Sequence, residues 1–151
     1  MKNRITIWVV CFVALIAWTG LAFAHDATQA EIKTVKLPNG QEVFDISGEW
    51  DIIFECYGIW EKYGTYSNVG KAAIKEDGSF YAIRLKDNPP PSMRKAGSFI
   101  LLGNLDKGGF KKLNYFSHTG EQFPCKWELM ENVNKIFIDE GAMIKMTFTR
   151  K

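Results

Sequence analysis

Between Phe44 and Arg150 the chain changes polarity at almost every residue, in short runs separated by turn residues. In the run Phe44–Cys56, F-D-I-S-G-E-W-D-I-I-F-E-C, the residues Phe44, Ile46, Gly48, Trp50, Ile52, Phe54 and Cys56 share one face. Ser47, Glu49, Asp51 and Glu55 fall on the other. A period of two is the pattern of an antiparallel strand with one face buried and one wet. It also assigns the carboxylates Glu49, Asp51 and Glu55 to solvent, where unpaired carboxylates normally sit.

Seven further runs follow. A loop at 57–62 leads to Tyr63–Lys75, and Glu76-Asp77-Gly78 is a hairpin turn into Ser79–Lys86. The segment Asp87–Gly97 holds Pro89-Pro90-Pro91 and reads as a stiff loop that no central strand could contain. Ser98–Leu102, Phe110–Ser117, Gln122–Met130, Lys135–Ile138 and Met143–Arg150 complete the set, with turns at 103–109, 118–121, 131–134 and 139–142. No segment shows sustained helical spacing. Eight short strands on short connections predict an all-β chain whose sheet is an eight-stranded, antiparallel, up-and-down barrel, because closure removes the exposed edges. The alternative, a sandwich, needs longer crossing connections.

The first 24 residues read as a signal peptide outside the fold. Lys2 and Arg4 form a basic region, Ile5–Leu21 is apolar, and Ala22-Phe23-Ala24 is an A-x-A cleavage pattern. The apolar run is also near spanning length, so an uncleaved anchor is the competing reading. Cleavage predicts an exported protein, periplasmic or extracellular, with no stable membrane anchor. It removes two of the 19 basic residues and none of the 17 acidic ones, leaving 17 against 17. That balance carries no footprint for nucleic acid or an anionic membrane. Taking 24 from 151 leaves 127 residues, one domain's worth. Residues 25–42 form a leader, with a short hairpin at the turn Pro38-Asn39-Gly40, and 43–151 the barrel.

Cys11 leaves with the signal. Cys56 and Cys125 remain in an oxidising compartment and share the inward phase, so a disulfide between them is predicted, against the alternative of two buried free thiols. No C-x-x-C pattern supports zinc or haem, no Ser/His/Asp set stands out, and the glycines mark turns, so no enzyme, metal site or cofactor is predicted. The two histidines are His25 and His118. His25 would be the first mature residue, where amine and imidazole could chelate copper, a remote reading without a third ligand.

A Gly-x-Trp on the first strand, eight alternating strands and an Arg near the end of the last resemble the lipocalin and wider calycin pattern, in the small lipocalin-like or avidin-like form. The residues that carry it are Gly48, Trp50 and Arg150. The resemblance implies that Trp50 plugs the closed end, that Arg150 packs over its ring, and that Gly48 makes room for a close backbone approach. It implies a mouth at the end bearing the first loop, which would also receive 87–97, 118–121 and 139–142. Tyr57, Trp60, Tyr63, Tyr66, Met93, Arg94, Tyr115, His118 and Phe123 would gather there, the composition of a site for a small apolar or aromatic ligand. The same residue types serve protein interfaces. A cysteine shortly after Gly-x-Trp is similar to small exported protease-inhibitor barrels, for which residues 25–42 would be the inserting wedge.

Overall fold

The computed structural model describes residues 32–130 and 134–151. The predicted signal peptide, His25 and most of the 131–134 turn lie outside the described residues. The strands are β1 (Thr34–Lys36), β2 (Glu42–Phe44), β3 (Gly48–Cys56), β4 (Thr65–Ile74), β5 (Ser79–Arg84), β6 (Phe99–Asp106), β7 (Gly109–Phe116), β8 (Gln122–Pro124), β9 (Lys126–Met130), β10 (Lys135–Asp139) and β11 (Ile144–Arg150). A short 3-10 helix, Gly58–Tyr63, stands between β3 and β4. Among the described residues no helix is long and apolar enough to cross a membrane.

All strands from β3 onward join one antiparallel sheet, in the order β8-β7-β6-β5-β4-β3-β11-β10-β9. The two ends of that order are consecutive in the chain. β8 pairs with β7 through Phe123 and Tyr115, and β9 pairs with β10 through Trp127 and Ile138. Between them the Cys125 amide donates to the Leu113 carbonyl at 2.9 Å. The predicted run 122–130 is therefore one strand bent at Cys125, its halves bonded to opposite edges of the sheet. This nearly closes the barrel and makes the eight-strand expectation hold.

Alternation builds the core. Trp50, Ile52 and Phe54 of β3, Ile136 and Ile138 of β10, and Met146 and Phe148 of β11 are fully buried, while Glu49, Asp51 and Glu55 are exposed. These side chains fill most of the barrel, and large aliphatic or aromatic groups of this kind each contribute about 1.5–3 kcal/mol when buried.

Three sequence expectations change. The first run is two elements, since residues 45–47 are not strand; Phe44 and Ile46 are buried beneath the barrel end instead. The fourth strand runs on to Asp106 and turns tightly at Lys107-Gly108, because Gly103 lets β7 approach where any Cβ would overlap the Lys112 carbonyl. Finally, the hairpin expected at Pro38-Asn39-Gly40 forms, but it packs against the barrel instead of protruding as a wedge. β1 and β2 form a hairpin, Thr34 opposite Phe44, that lays Leu37, Val43 and Phe44 on the closed end, where Phe44 meets Phe110 edge-on at 5.7 Å.

The closed end is locked by the residues that suggested it. The Arg150 guanidinium lies over the Trp50 ring, 4.4 Å from its centroid, and donates to the carbonyls of Ser47 (2.8 Å) and Asp45. Trp50 Nε1 donates to the Ile46 carbonyl at 2.9 Å. What Gly48 supplies is conformation rather than space. Its φ is +112°, whereas an added Cβ would meet its nearest neighbour, Arg150 Nη1, at an ordinary 3.9 Å.

Candidate functional site

The opposite end carries a depression lined chiefly by aromatic side chains. It has a volume of about 80 Å³ and is lined by Cys56, Trp60, Tyr63, Tyr66, Ser92, Arg94, Tyr115 and His118. Each element delivers a recognisable share. The 3-10 helix swings Trp60 across the opening, edge-on to Tyr115 at 6.1 Å and to Tyr63 at 6.2 Å, and 6.2 Å from the His118 ring. The inward phase of β4 brings Tyr66 onto Phe54, stacked at 4.9 Å and 15°. The proline loop delivers Ser92 and Arg94. The volume admits roughly six waters, so it suits a single ring with a polar substituent rather than a drug-sized molecule.

Beneath the floor lies a polar layer. Asn88 is its hub: its Nδ2 donates to the Tyr66 hydroxyl (3.1 Å) and to Ser92 Oγ (3.0 Å). Its Oδ1 accepts from Arg84 Nε (3.1 Å) and Asn68 Nδ2 (2.7 Å). Arg84 is fully buried on the inward face of β5, its guanidinium 5.3 Å from the Phe54 ring centroid. Nη1 donates to the Phe99 carbonyl at 2.8 Å, but Nη2 has no hydrogen-bond partner. Burial, then the neighbouring charge of Arg94, pushes its ionisation below the usual arginine range. Arg94 donates from Nη1 to the Tyr115 hydroxyl (3.3 Å) and the Phe116 carbonyl (2.8 Å), and from Nη2 to the Phe99 carbonyl (3.0 Å). Burial raises the phenols of Tyr66 and Tyr115, so both stay neutral near pH 7 and keep their hydrogens for donation.

Of the nine predicted mouth residues, Trp60, Tyr63, Tyr66, Arg94, Tyr115 and His118 line the depression. Three do not. Tyr57 donates to Asp139 at 3.0 Å, with Lys145 over its ring, and its phenol is pushed up to about 12 by burial and that carboxylate. Met93 sits at φ +48°, which turns it out of the loop's inward phase and leaves it 66% exposed. Phe123 is spent on the barrel seam opposite Tyr115 and packs partly buried against the core. Arg84, Asn88 and Ser92 were not anticipated. Arg84 was open to inference, since Phe80, Ala82 and Arg84 share a phase in β5 and the first two are plainly core.

The predicted disulfide is not formed: Cys56 and Cys125 are free thiols. Cys56 pairs with Ile144 of β11, and Cys125 adjoins Lys126, which pairs with Asp139 of β10. Two strands stand between them, so the separation is about three strand spacings, or ~14 Å along the sheet, beyond the ~7 Å that a bridge spans. The shared phase brought both cysteines inside the barrel but on different walls. Burial raises both thiols, that of Cys125 to about 12.

His118 meets Trp60, while His25 lies outside the described residues; among those, no three metal-ligating side chains cluster. Comparison of the chain with protein-family models, curated proteins and solved structures finds no match.

Proposed function

We propose that the chain is an exported, lipocalin-like barrel that acts without catalysis, binding a small aromatic or apolar ligand at its mouth. The observation that carries this is the depression bounded by Trp60, Tyr63, Tyr66 and Tyr115 at one end, with the other end sealed by Trp50, Arg150 and the hairpin. Export rests on the A-x-A pattern at 22–24, and the lipocalin-like reading on Gly48, Trp50 and Arg150. Because the interior below the mouth is filled, long-chain fatty acids and haem are poor candidates, and single-ring compounds are favoured. Trp60 supplies the assay. A single-ring aromatic should change tryptophan emission saturably in the mature protein, and Trp60→Leu should abolish the change. Absence of saturable binding by any single-ring compound in a broad panel would overturn the reading.

A second reading is favoured by Ile59 (79% exposed) in the 3-10 helix and Met93 in the proline loop, two large apolar side chains left in water beside the mouth. They suit a protein partner that docks on the rim of the mouth, apart from the 25–42 wedge of the protease-inhibitor-like alternative. Capture of a periplasmic protein that is lost in Ile59→Ser/Met93→Ser, with small-ligand binding intact, would favour it.

A further inference from the structure

Arg84 is a cation without a counter-ion. It is fully buried, and its hydrogen-bond acceptors are Asn88 Oδ1, the Phe99 carbonyl and, at 3.4 Å, Ser98 Oγ, all neutral. No carboxylate among the described residues pairs with it. An unpaired buried charge is among the most costly arrangements in a fold, and here a second cation, Arg94, stands beside it. Nη2 of Arg84 makes no hydrogen bond of ordinary geometry, and the Tyr115 hydroxyl beside the guanidinium is neutral too. Arginine does not shed its proton under ordinary conditions, so the charge persists.

The surrounding groups are donors too. The Tyr66 hydroxyl accepts from Asn88 and the Tyr115 hydroxyl accepts from Arg94, which leaves each its own hydrogen to give. Both tyrosines line the depression, and Tyr115 comes close to Arg84. One guanidinium, that of Arg94, and two phenols thus line a depression whose walls are aromatic, with the charge of Arg84 buried beneath them and no acid among the lining residues.

We propose that the mouth site takes a small aromatic carboxylate: the ring stands among Trp60, Tyr63 and His118, and the carboxylate is held at the floor by Arg94 and the phenols of Tyr66 and Tyr115, above the buried charge of Arg84. A carboxylate brings one negative charge and several lone pairs to a place that offers donors and positive charge, and ionic hydrogen bonds of this type are the strong ones. The inference deepens the ligand-binding reading and rests on it for the ring.

The test is calorimetric titration of the mature protein at constant ionic strength with benzoate, its neutral analogue benzamide, the ring-less acetate, and phosphate. Benzoate should bind at least tenfold more tightly than each of the others. Arg94→Gln should lose at least fivefold in benzoate affinity with little change for benzamide. Arg84→Met should abolish the preference for benzoate; since it also removes an uncompensated buried charge, its melting temperature in the absence of ligand should not fall. If that variant fails to fold, Arg94→Gln and the ligand series still decide. Benzamide binding as tightly as benzoate would overturn the inference and leave the aromatic pocket standing. Acetate matching benzoate would keep the charge pairing and sink the aromatic reading, phosphate matching it would make this an inorganic-anion site and overturn the carboxylate, and no saturation by any would remove both.

Discussion

Asp45 shows how much one side chain can do at a seam between elements. It follows the last residue of β2, its carboxylate accepts from the Ser47 amide (3.0 Å) and hydroxyl, and it pairs with Lys33 Nζ at 3.0 Å. Its own carbonyl accepts from Arg150, so the turn that Asp45 shapes presents the oxygens that hold the guanidinium over Trp50. Burial works to raise its carboxyl, but the bonds from Ser47 and Lys33 outweigh it, and the group ionises below its ordinary 3.8. A carboxyl held low in the folded state adds stability above its unfolded value, and that stability fades as pH falls through the folded value. Asp45→Asn should therefore cost about 1–2 kcal/mol at pH 7. The deficit should shrink as pH falls from about 4, where the unfolded chain takes the proton, down through the lower folded value. Urea unfolding of both proteins at pH 7 and pH 3 measures it, and an equal gap at both would refute the charge-based account. At this scale sequence reading succeeded where one side chain's phase or type decides its place, as with Trp50, Arg150 and Tyr66. It missed Arg84, whose phase in β5 is that of Phe80 and Ala82, because charged residues are expected outside whatever their phase.

The strand that bends at Cys125 is the element on which closure depends. β8 and β9 hold opposite edges of the sheet, and past the bend Trp127 crosses to the start of β7, edge-on to Phe110 at 5.3 Å. Gly109 makes that crossing possible. Its φ is +141°, and a Cβ there would stand 2.4 Å from the Trp127 ring. Gly109→Ala should then cost about 3 kcal/mol, from backbone strain and overpacking together, and should shift tryptophan emission to the red as Trp127 is displaced. Chemical denaturation with fluorescence detection measures both, and a cost below 1 kcal/mol would show that the seam has slack. Eight runs were legible because each has its own period and its own turn residues. The bend was not, since Phe123, Cys125, Trp127 and Leu129 keep one phase straight through it and only pairing with two different neighbours shows it. The 3-10 helix was hidden for the opposite reason: six residues are too few to display a period. The bridge was misjudged because phase tells which side of a strand a cysteine faces and says nothing of how many strands separate it from another.

At the scale of the whole molecule the two ends have been given different chemistry. The closed end is apolar and doubly sealed, by the Trp50–Arg150 pair and by the β1–β2 hairpin packed through Leu37, Val43 and Phe44. The mouth carries buried polar groups, a left-handed Met93 and a guanidinium nitrogen with no partner, features that cost stability and are characteristic of places that bind something. On this division the hairpin contributes to folding and not to recognition, which also separates the mouth from the wedge expected of a protease inhibitor. Deleting residues 32–42 from a chain that begins at residue 25 uncovers the closed end and withdraws Leu37 and the partner strand of β2. The expected cost is about 3–5 kcal/mol, from loss of the Leu37 contact and exposure of Val43 and part of Phe44. Benzoate affinity, measured where the truncated chain is still folded, should stay within twofold of the chain that keeps 32–42, because no residue of the hairpin lines the mouth. A truncated chain that keeps its stability would mean that the hairpin is an appendage free for a partner. One that keeps its fold but loses benzoate would mean that the sealed end and the open end are coupled through the filled interior, with Phe54, packed under Tyr66 and Arg84, as the first residue along which to look for that coupling.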